Sequence, residues 1–268
     1  MEVEFETFEH SDMRSLADLQ PEGWGDITPA YQFYVTSRFC FPLKVIIDNK
    51  IIGIGAAIIH NEVAWLGQII VHPDFRNRGI GKKISQALVD LCKAKHCETI
   101  YLIATDLGAP IYESIGFETE TEYLFFKDIK IGSEFSTSQF IVPFEEKYRE
   151  QIIAMDKTIS GENRVHHLEP HFSRSYLFKE GEKTEGYLVP TLGEGLIIAN
   201  NYKAGIEMMK FRFMNKENAN LPVDNSEAIK FLHDNNINEY RSAKRMRLGI
   251  ERKWQPANIY NRIGGNLG

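Results

Sequence analysis

The chain is poor in cysteine. Cys40, Cys92 and Cys97 are the only three in 268 residues, unevenly spaced and without histidines at metal-ligand spacing. That excludes a disulfide framework and points to a reducing compartment. Long apolar runs are missing too: none approaches the roughly 20 residues of a membrane-spanning helix. The start, Met1-Glu2-Val3-Glu4-Phe5, lacks the basic and then apolar order of a signal peptide. Net positive charge is also lacking. A formal charge of -6 argues against a general nucleic-acid binder, which is basic over a broad face. These absences give the expectation of a cytoplasmic protein with neither membrane nor nucleic acid as partner.

What is present suits a packed core, with 43% hydrophobic and 12% aromatic residues. At about 150 residues per domain, the length allows one large domain or two small ones. Against the acidic background one basic segment stands out: Ile69-Ile70-Val71-His72-Pro73-Asp74-Phe75-Arg76-Asn77-Arg78-Gly79-Ile80-Gly81-Lys82-Lys83. It reads as an apolar strand, a proline-marked turn, a short glycine-containing loop and the start of an amphipathic helix. Gly79 and Gly81 let backbone N–H groups close on an anion. The helix start adds its unpaired first-turn N–H groups and its positive dipole end. With Arg76, Arg78, Lys82 and Lys83 around it, the segment is a socket for a pyrophosphate or similar polyanion. A merely solvated, basic helix start is the plainer reading of the same side chains.

Along the chain, alternation of Val3, Phe5 and Thr7 with glutamates predicts a first strand. Helices follow around residues 13–19 and from Thr28, whose Pro29 suits a first helical position, to about residue 39. Strands are predicted at residues 43–48, 51–59 and 63–71. Ile80, Ile84, Leu88 and Leu91 fall on one helical face. A short strand at 100–104, a helix from Pro110 to the stop at Gly116, and a strand at 117–127 complete a mixed sheet with helices on both sides. Residues 128–140, with Gly132, Ser133, Ser136, Thr137 and Ser138, lose the apolar periodicity and place a domain boundary there. The second half predicts helices at 145–153, 202–213 and 226–235, strands near 186–192, 196–199, 221 and up to 248, and a turn-like tail from Trp254. Its last elements repeat the order of the first half, so a duplicated fold is expected.

Residues 71–81 resemble the acyl-CoA signature of the GNAT superfamily of acyl-CoA-dependent N-acyltransferases: an Arg or Gln, two residues, Gly, one residue, then Gly or Ala. Ala104-Thr105-Asp106-Leu107-Gly108-Ala109-Pro110-Ile111-Tyr112-Glu113-Ser114-Ile115-Gly116-Phe117 resembles the family's second signature, a short helix with a tyrosine and a closing Gly-Phe. The two have the family's order and separation. The resemblance implies an α+β class and a tandem GNAT-like fold, each half a mixed, mostly antiparallel sheet flanked by helices. Residues 1–130 form the acetyltransferase domain and 140–268 a degenerate GNAT-like C-terminal domain.

The resemblance also implies roles. Backbone amides of Arg76, Asn77, Arg78, Gly79, Ile80, Gly81 and Lys82 would hold the CoA pyrophosphate. Ile70 and Val71 would pair with the pantetheine arm, with the Val71 N–H polarising the thioester carbonyl. Tyr112 would protonate the departing thiolate. Thr105 stands where many relatives carry an asparagine that contacts the cofactor arm. Trp24, Asp26, Tyr31 and Tyr34 lie where relatives shape the acceptor pocket, and Trp24 and Tyr31 are the candidate substrate-binding residues. As bases, His60, Glu62 and Gln68 are candidates, Gln68 only by positioning a water; His60-Asn61-Glu62 also reads as a plain hairpin turn.

In the second half, Met155-Asp156, Asn163-Arg164, Gly186-Tyr187, residues 245–249 and residues 259–265 resemble a GNAT-like C-terminal domain of two-domain acetyltransferases. Asn200-Asn201-Tyr202-Lys203-Ala204-Gly205 stands where the phosphate loop would fall, without a glycine pair, and Leu232 lies near the position corresponding to Tyr112. This half is expected to cover the first domain and wall the acceptor site without binding CoA. His166 and His167 are adjacent in a loop, so no metal is inferred. The expected function is transfer of acetyl from acetyl-CoA, with CoA as product, to a small-molecule amine by direct attack on the thioester. A non-catalytic acyl-CoA sensor or partner-binding module and a protein or peptide N-acetylase are the alternatives. The acceptor's identity and the oligomeric state are not legible.

Overall fold

The structure, a computed structural model, describes residues 3–130 and 138–267. Most of the predicted linker, including Gly132, Ser133, Ser136 and Thr137, therefore lies outside the described residues. The chain divides into two compact units. The first comprises the described parts of Met1–Glu118 with Met246–Glu251 and Gly265–Leu267; the second comprises Thr119–Arg245 and Arg252–Gly264.

In the first unit, β1 (Glu4–Thr7) is followed by a 3-10 turn (His10–Ser15), a short α1 (Leu16–Leu19) and α2 (Thr28–Thr36). The predicted helix around 13–19 is thus 3-10 up to Ser15 and α-helical from Leu16 to Leu19. Asp12 explains this in part: its side chain accepts the Glu9 N–H at 2.7 Å and holds the chain in a capping turn. Then come β2 (Cys40–Ile47), β3 (Lys50–His60), β4 (Val63–Val71), α3 (Ile80–Ala94), β5 (Thr99–Ala104) and α4 (Ala109–Glu113). The strands lie in the order β1-β2-β3-β4-β5. Pairing is antiparallel from Glu4↔Ile46 through Cys40↔Ile58 to His60↔Val63. β4 and β5 run parallel, because α3 carries the chain back across the sheet.

Of the α3 face predicted from spacing, Ile80, Ile84 and Leu88 are buried against Val45, Ile52, Ala57, Leu66, Ile100 and Leu102, Leu91 is only partly buried, and Cys92, which the spacing did not single out, is buried. The helix lies so close to β3 that a Cβ on Gly55 would meet Ile84 and Leu88 at 2.9 and 3.0 Å. Trp65 and Tyr101 form a separate cluster, with ring centroids 5.1 Å apart. Met246 joins the main core from the distant end of the sequence.

The second unit contains β6 (Glu118–Phe126) from Thr119 on, β7 (Ile141–Pro143), α5 (Arg149–Ser160), α6 (Val165–Leu168), β8 (Tyr176–Glu180), β9 (Lys183–Val189), β10 (Leu196–Ala199), α7 (Tyr202–Phe213), β11 (Ala219–Pro222), α8 (Ser226–Asp234), β12 (Glu239–Gly249) as far as Arg245, and β13 (Ile259–Asn261). One sheet has the order β13-β10-β9-β8-β7. In addition, β6 pairs antiparallel with β11, Leu124 facing Leu221. Leu188, Ile197, Ala204, Met208, Met209, Phe213, Leu221, Leu232 and Tyr260 make its core.

Sequence periodicity missed β8, whose hairpin with β9 turns on Gly181 at φ +64. It also ended a helix at residue 153, where α5 runs on to Ser160, and gave no helix where α6 forms. Asp156 accounts for the early end predicted for α5. It reads as a surface residue, yet it is buried in a pair with Arg164 at 2.9 Å and receives the Tyr187 hydroxyl at 2.5 Å. A carboxylate so paired sits in a helix's core face at a cost far below that of an isolated charge.

Candidate functional site

The basic segment folds as strand, 3-10 turn, loop and helix. β4 ends at Val71, Pro73–Phe75 form one 3-10 turn, and α3 begins at Ile80. His72 caps the turn, its Nδ1 accepting the Asp74 N–H at 3.3 Å. Two residues of the loop lie in the left-handed region, Asn77 at φ +60 and Gly79 at φ +75. Gly79 is the N-cap of α3 and no side chain caps the helix. The amides of the first turn are left facing outward, with the dipole's positive end behind them. An uncapped helix start of this kind is a geometry that can hold an anion.

The two arginines are partly committed to the loop. Arg76 Nε donates to the Val71 carbonyl at 3.1 Å, and Arg78 donates to the Asp74 carbonyl at 2.9 Å while its guanidinium lies 5.2 Å from the Phe75 ring centroid. They brace the loop as well as charging it. Lys82 and Lys83 project from the exposed face of the first helical turn.

β4 is paired with β5 only from Val63↔Thr99 to Leu66↔Leu102, although β4 continues to Val71 and β5 to Ala104. The strands therefore part after Leu66. The far part of β4 also carries a bulge. Ile54 faces Ile70 and Ala56 faces Gly67, so Gly55 is matched by two residues, Gln68 and Ile69. Gln68 has a left-handed backbone, φ +53, and its Oε1 is buried with no hydrogen-bond partner among the described residues. Its own carbonyl receives the Tyr31 hydroxyl at 3.4 Å.

The second segment meets the first at α3. A Cβ on Gly81 would touch Val71 at 3.8 Å and Ile111 at 4.0 Å, so the end of β4, the first turn of α3 and α4 converge. Tyr112 packs edge-on against Phe117, centroids 5.9 Å apart. Burial pushes its hydroxyl up to about 12, against a smaller opposing effect of a hydrogen bond with Ser85. Ser85 in turn donates to the Gly81 carbonyl at 2.9 Å. Sequence reading missed Ser85. The available signal was a lone hydroxyl on the buried face, next to Ile84 and four residues after Gly81.

The other predicted residues are placed as follows. Thr105 Oγ1 accepts the Gly108 N–H at 3.3 Å and shapes the entry to α4. Ile70 is buried in β4 and Val71 half-buried at its end. Trp24 is 45% exposed in a loop tied by the Gln20 side chain to the Trp24 and Gly25 carbonyls. Tyr31 is fully buried between Phe8 and Tyr34, at centroid distances of 4.7 and 5.3 Å, so only its hydroxyl reaches β4. His60 and Glu62 flank the β3–β4 hairpin, roughly 25 Å from Val71 at the rise of about 3.3 Å per residue. They are too far to take a proton there; of the three base candidates, Gln68 alone lies on the bulged part of β4.

In the second unit, α7 begins differently from α3. Asn201 is its N-cap and accepts the Ala204 N–H at 3.0 Å, so an inward side chain uses a donor that α3 leaves open. Gly205 is covered by the Tyr260 ring. His166 and His167 lie with ring centroids 4.4 Å apart, and burial holds His167 far down, at about 3.

Residues 5–117 match the sequence profile of the Acetyltransferase (GNAT) family. A glucosamine 6-phosphate N-acetyltransferase of Trypanosoma brucei brucei is 26% identical over 106 residues, which are 40% of this chain and 68% of that protein. A [ribosomal protein bS18]-alanine N-acetyltransferase of Salmonella typhimurium is 29% identical over 82 residues, 30% of this chain and 55% of that protein. The crystal structure of a candidate acetyltransferase from Pyrococcus horikoshii superimposes with a TM-score of 0.85 at 18% identity, covering 99% of this chain and 96% of that one. A GCN5-related N-acetyltransferase from Anabaena variabilis gives a TM-score of 0.60 at 11% identity, over 92% and 72%. At these identities the structural likeness establishes the fold: mixed, mostly antiparallel sheet flanked by helices. The expected fold class is borne out.

Proposed function

We propose that residues 5–117, which match the Acetyltransferase (GNAT) family, act as an acetyltransferase domain, and that the chain transfers an acetyl group from acetyl-CoA to the amino group of a small molecule. One observation carries the reading: the uncapped, glycine-led start of α3 lies against the end of β4 just beyond the point where β5 leaves it. A polyanion at the helix start and an extended arm along the unpaired edge of β4 are the two demands that acyl-CoA makes on a protein.

In this reading the amides of residues 76–82 take the pyrophosphate and Ile70 and Val71 the pantetheine arm. The Val71 N–H faces the thioester carbonyl. The amine attacks the carbonyl carbon, a C–N bond forms and the C–S bond breaks. Tyr112 gives the leaving thiolate its proton. With its hydroxyl pushed up to about 12, Tyr112 is protonated throughout the neutral range. The acetylated group is taken to be an amine because the relatives are named for N-acetylation. A small acceptor, a cytoplasmic setting and a division into an acting first half (residues 1–130) and a degenerate second half (140–268) belong to the same proposal. Among the described residues no helix is long and apolar enough to cross a membrane.

The test is acetyl-CoA itself. It should raise the melting temperature, and Gly79→Val with Gly81→Val should remove that rise. Thiol release in the presence of amino acids, polyamines and amino sugars then reports turnover. Unaltered acetyl-CoA binding by the double variant overturns the proposal; binding without turnover of any amine leaves a sensor in place of an enzyme.

A further inference from the structure

We infer that Gln68 is the residue that receives the acceptor amine, through its side-chain carbonyl, and that it does so without accepting the amine's proton. The inference rests on the acetyl-transfer reading and adds to it the group that orients the nucleophile and the source of its pH dependence.

Three independent features meet at this residue. Its backbone is left-handed at φ +53 in the middle of a strand, a conformation that a residue other than glycine, asparagine or aspartate adopts only under compulsion. The compulsion is visible in the register: the extra residue opposite Gly55 turns the chain at Gln68 and re-aims its side chain. The Tyr31 hydroxyl, reaching out of a packed aromatic cluster, bonds the Gln68 carbonyl and braces the bulge from behind. Finally, Oε1 is buried and has no hydrogen-bond partner among the described residues. A buried amide oxygen left unpaired carries a desolvation cost, so natural folds keep one where a ligand or water completes it.

Position selects the ligand. Gln68 lies beyond Leu66, the last residue of β4 paired with β5, and three residues before Val71. The missing partner of an amide oxygen is an N–H or O–H donor, and an amine provides N–H. The reaction needs such a donor on the segment of β4 that adjoins the thioester.

The chemistry then differs from that of a carboxylate at the same place. A glutamine oxygen accepts a hydrogen bond but does not ionise in the neutral range. It binds and aims the neutral amine, whose lone pair is free to form the C–N bond. The proton shed by nitrogen after attack passes to solvent, and the CoA thiolate is the leaving group. The rate per encounter therefore follows the fraction of acceptor that is already unprotonated. The logarithm of kcat/KM should rise with unit slope up to the acceptor's own pKa, which for alkyl amines lies near 10.

The experiment uses the full chain with acetyl-CoA and, as probes, glucosamine 6-phosphate, spermidine and L-alanine amide, continuing with whichever turns over fastest. Gln68→Ala should raise the KM for the amine about tenfold or more while the melting shift produced by acetyl-CoA is unchanged. Gln68→Gly, which relieves the strained backbone, should melt higher than Gln68→Ala yet show the same raised KM. Gln68→Glu, which adds a group that can take the proton, should flatten the pH rise between about 5 and 9. An amine KM unchanged in Gln68→Ala, or restored in Gln68→Gly, overturns the inference and leaves the acetyl-transfer reading intact. Absence of turnover with all three probes, despite acetyl-CoA binding, overturns both.

Discussion

Ser85 donates its hydroxyl proton to the Gly81 carbonyl at 2.9 Å, one turn back along α3. The Tyr112 hydroxyl is hydrogen-bonded to the same Ser85 side chain. The tyrosine is thus held by the same helix that presents the anion-binding amides.

Tyr112→Phe should lower kcat by roughly tenfold to a hundredfold, the lower part of the usual range for a general acid, because a thiolate is a tolerable leaving group. Affinity for acetyl-CoA should be unchanged. The deficit should shrink as pH rises past about 8.5, where the free thiol ionises unaided. A thiol-release assay from pH 6.5 to 9.5 checks both. A deficit that is constant with pH would assign Tyr112 to packing against Phe117 instead.

Gly79 and Gly81 should respond to substitution for different reasons. A Cβ at Gly79 meets nothing within 4 Å, so the demand there is on φ. Gly79→Asn, which tolerates the left-handed region, should keep most of the acetyl-CoA melting shift. Gly79→Val should lose it and cost about 1–2 kcal/mol in stability. At Gly81 the neighbours are Val71 and Ile111 at 3.8 and 4.0 Å. Gly81→Ala should therefore change the stability of the free protein by less than about 1 kcal/mol, helped by alanine's helix propensity. Differential scanning fluorimetry with and without acetyl-CoA separates the two cases.

Gly205, in the first turn of α7, should behave oppositely. A Cβ there would enter the space of the Tyr260 ring. Gly205→Ala should destabilise by about 3 kcal/mol, the upper end for an overpacked core, despite its better helix propensity. Chemical denaturation measures it. Gly205→Ala with Tyr260→Leu should regain part of the loss, since the clash is with that ring alone.

Much of this architecture is legible in the residues. Val63–Val71, Leu196–Ala199 and Tyr202–Phe213 coincide with their predicted spans because each is bounded by an explicit stop or cap, such as Pro73 or Asn201. The anion socket was equally plain, since glycine spacing and charge lie within one short segment. Four features were not. The bulge at Gln68 arises from register with β3 and leaves no mark in local composition. The joining of Met246 to the first unit's core depends on a strand more than a hundred residues away. Tyr31 reads as a wall residue by its aromatic character, but its neighbours Phe8 and Tyr34 are brought to it by tertiary packing. Buried charge was hidden most thoroughly, because Asp156, Arg164 and Arg262 are indistinguishable in sequence from surface residues.

The last of these gives a prediction about acid stability. Glu194 accepts Arg262 Nε and Nη2, both at 2.8 Å, and the Asn220 amide at 2.7 Å. Burial alone would raise the carboxyl's pKa, but the Arg262 guanidinium, together with the Asn220 amide and Arg212, outweighs it and holds the group below its ordinary value. The folded state therefore binds fewer protons than the unfolded chain as the pH drops below the unfolded value of about 4.3. The stabilisation is fully present above that pH and is lost as the pH falls through the lower, folded value. Arg262→Met removes the guanidinium, leaves Glu194 uncompensated and should cost about 3–5 kcal/mol at pH 7. It should also reverse the trend, since a carboxyl raised by burial alone gains relative stability when protonated. Adding Glu194→Gln should recover much of the loss, because the remaining group is neutral and still bonded by Asn220. Urea melts of the three proteins at pH 4, 5 and 7 test the sequence of effects. If Arg262→Met is as stable as the parent at pH 7, the pair is not what keeps Glu194 ionised.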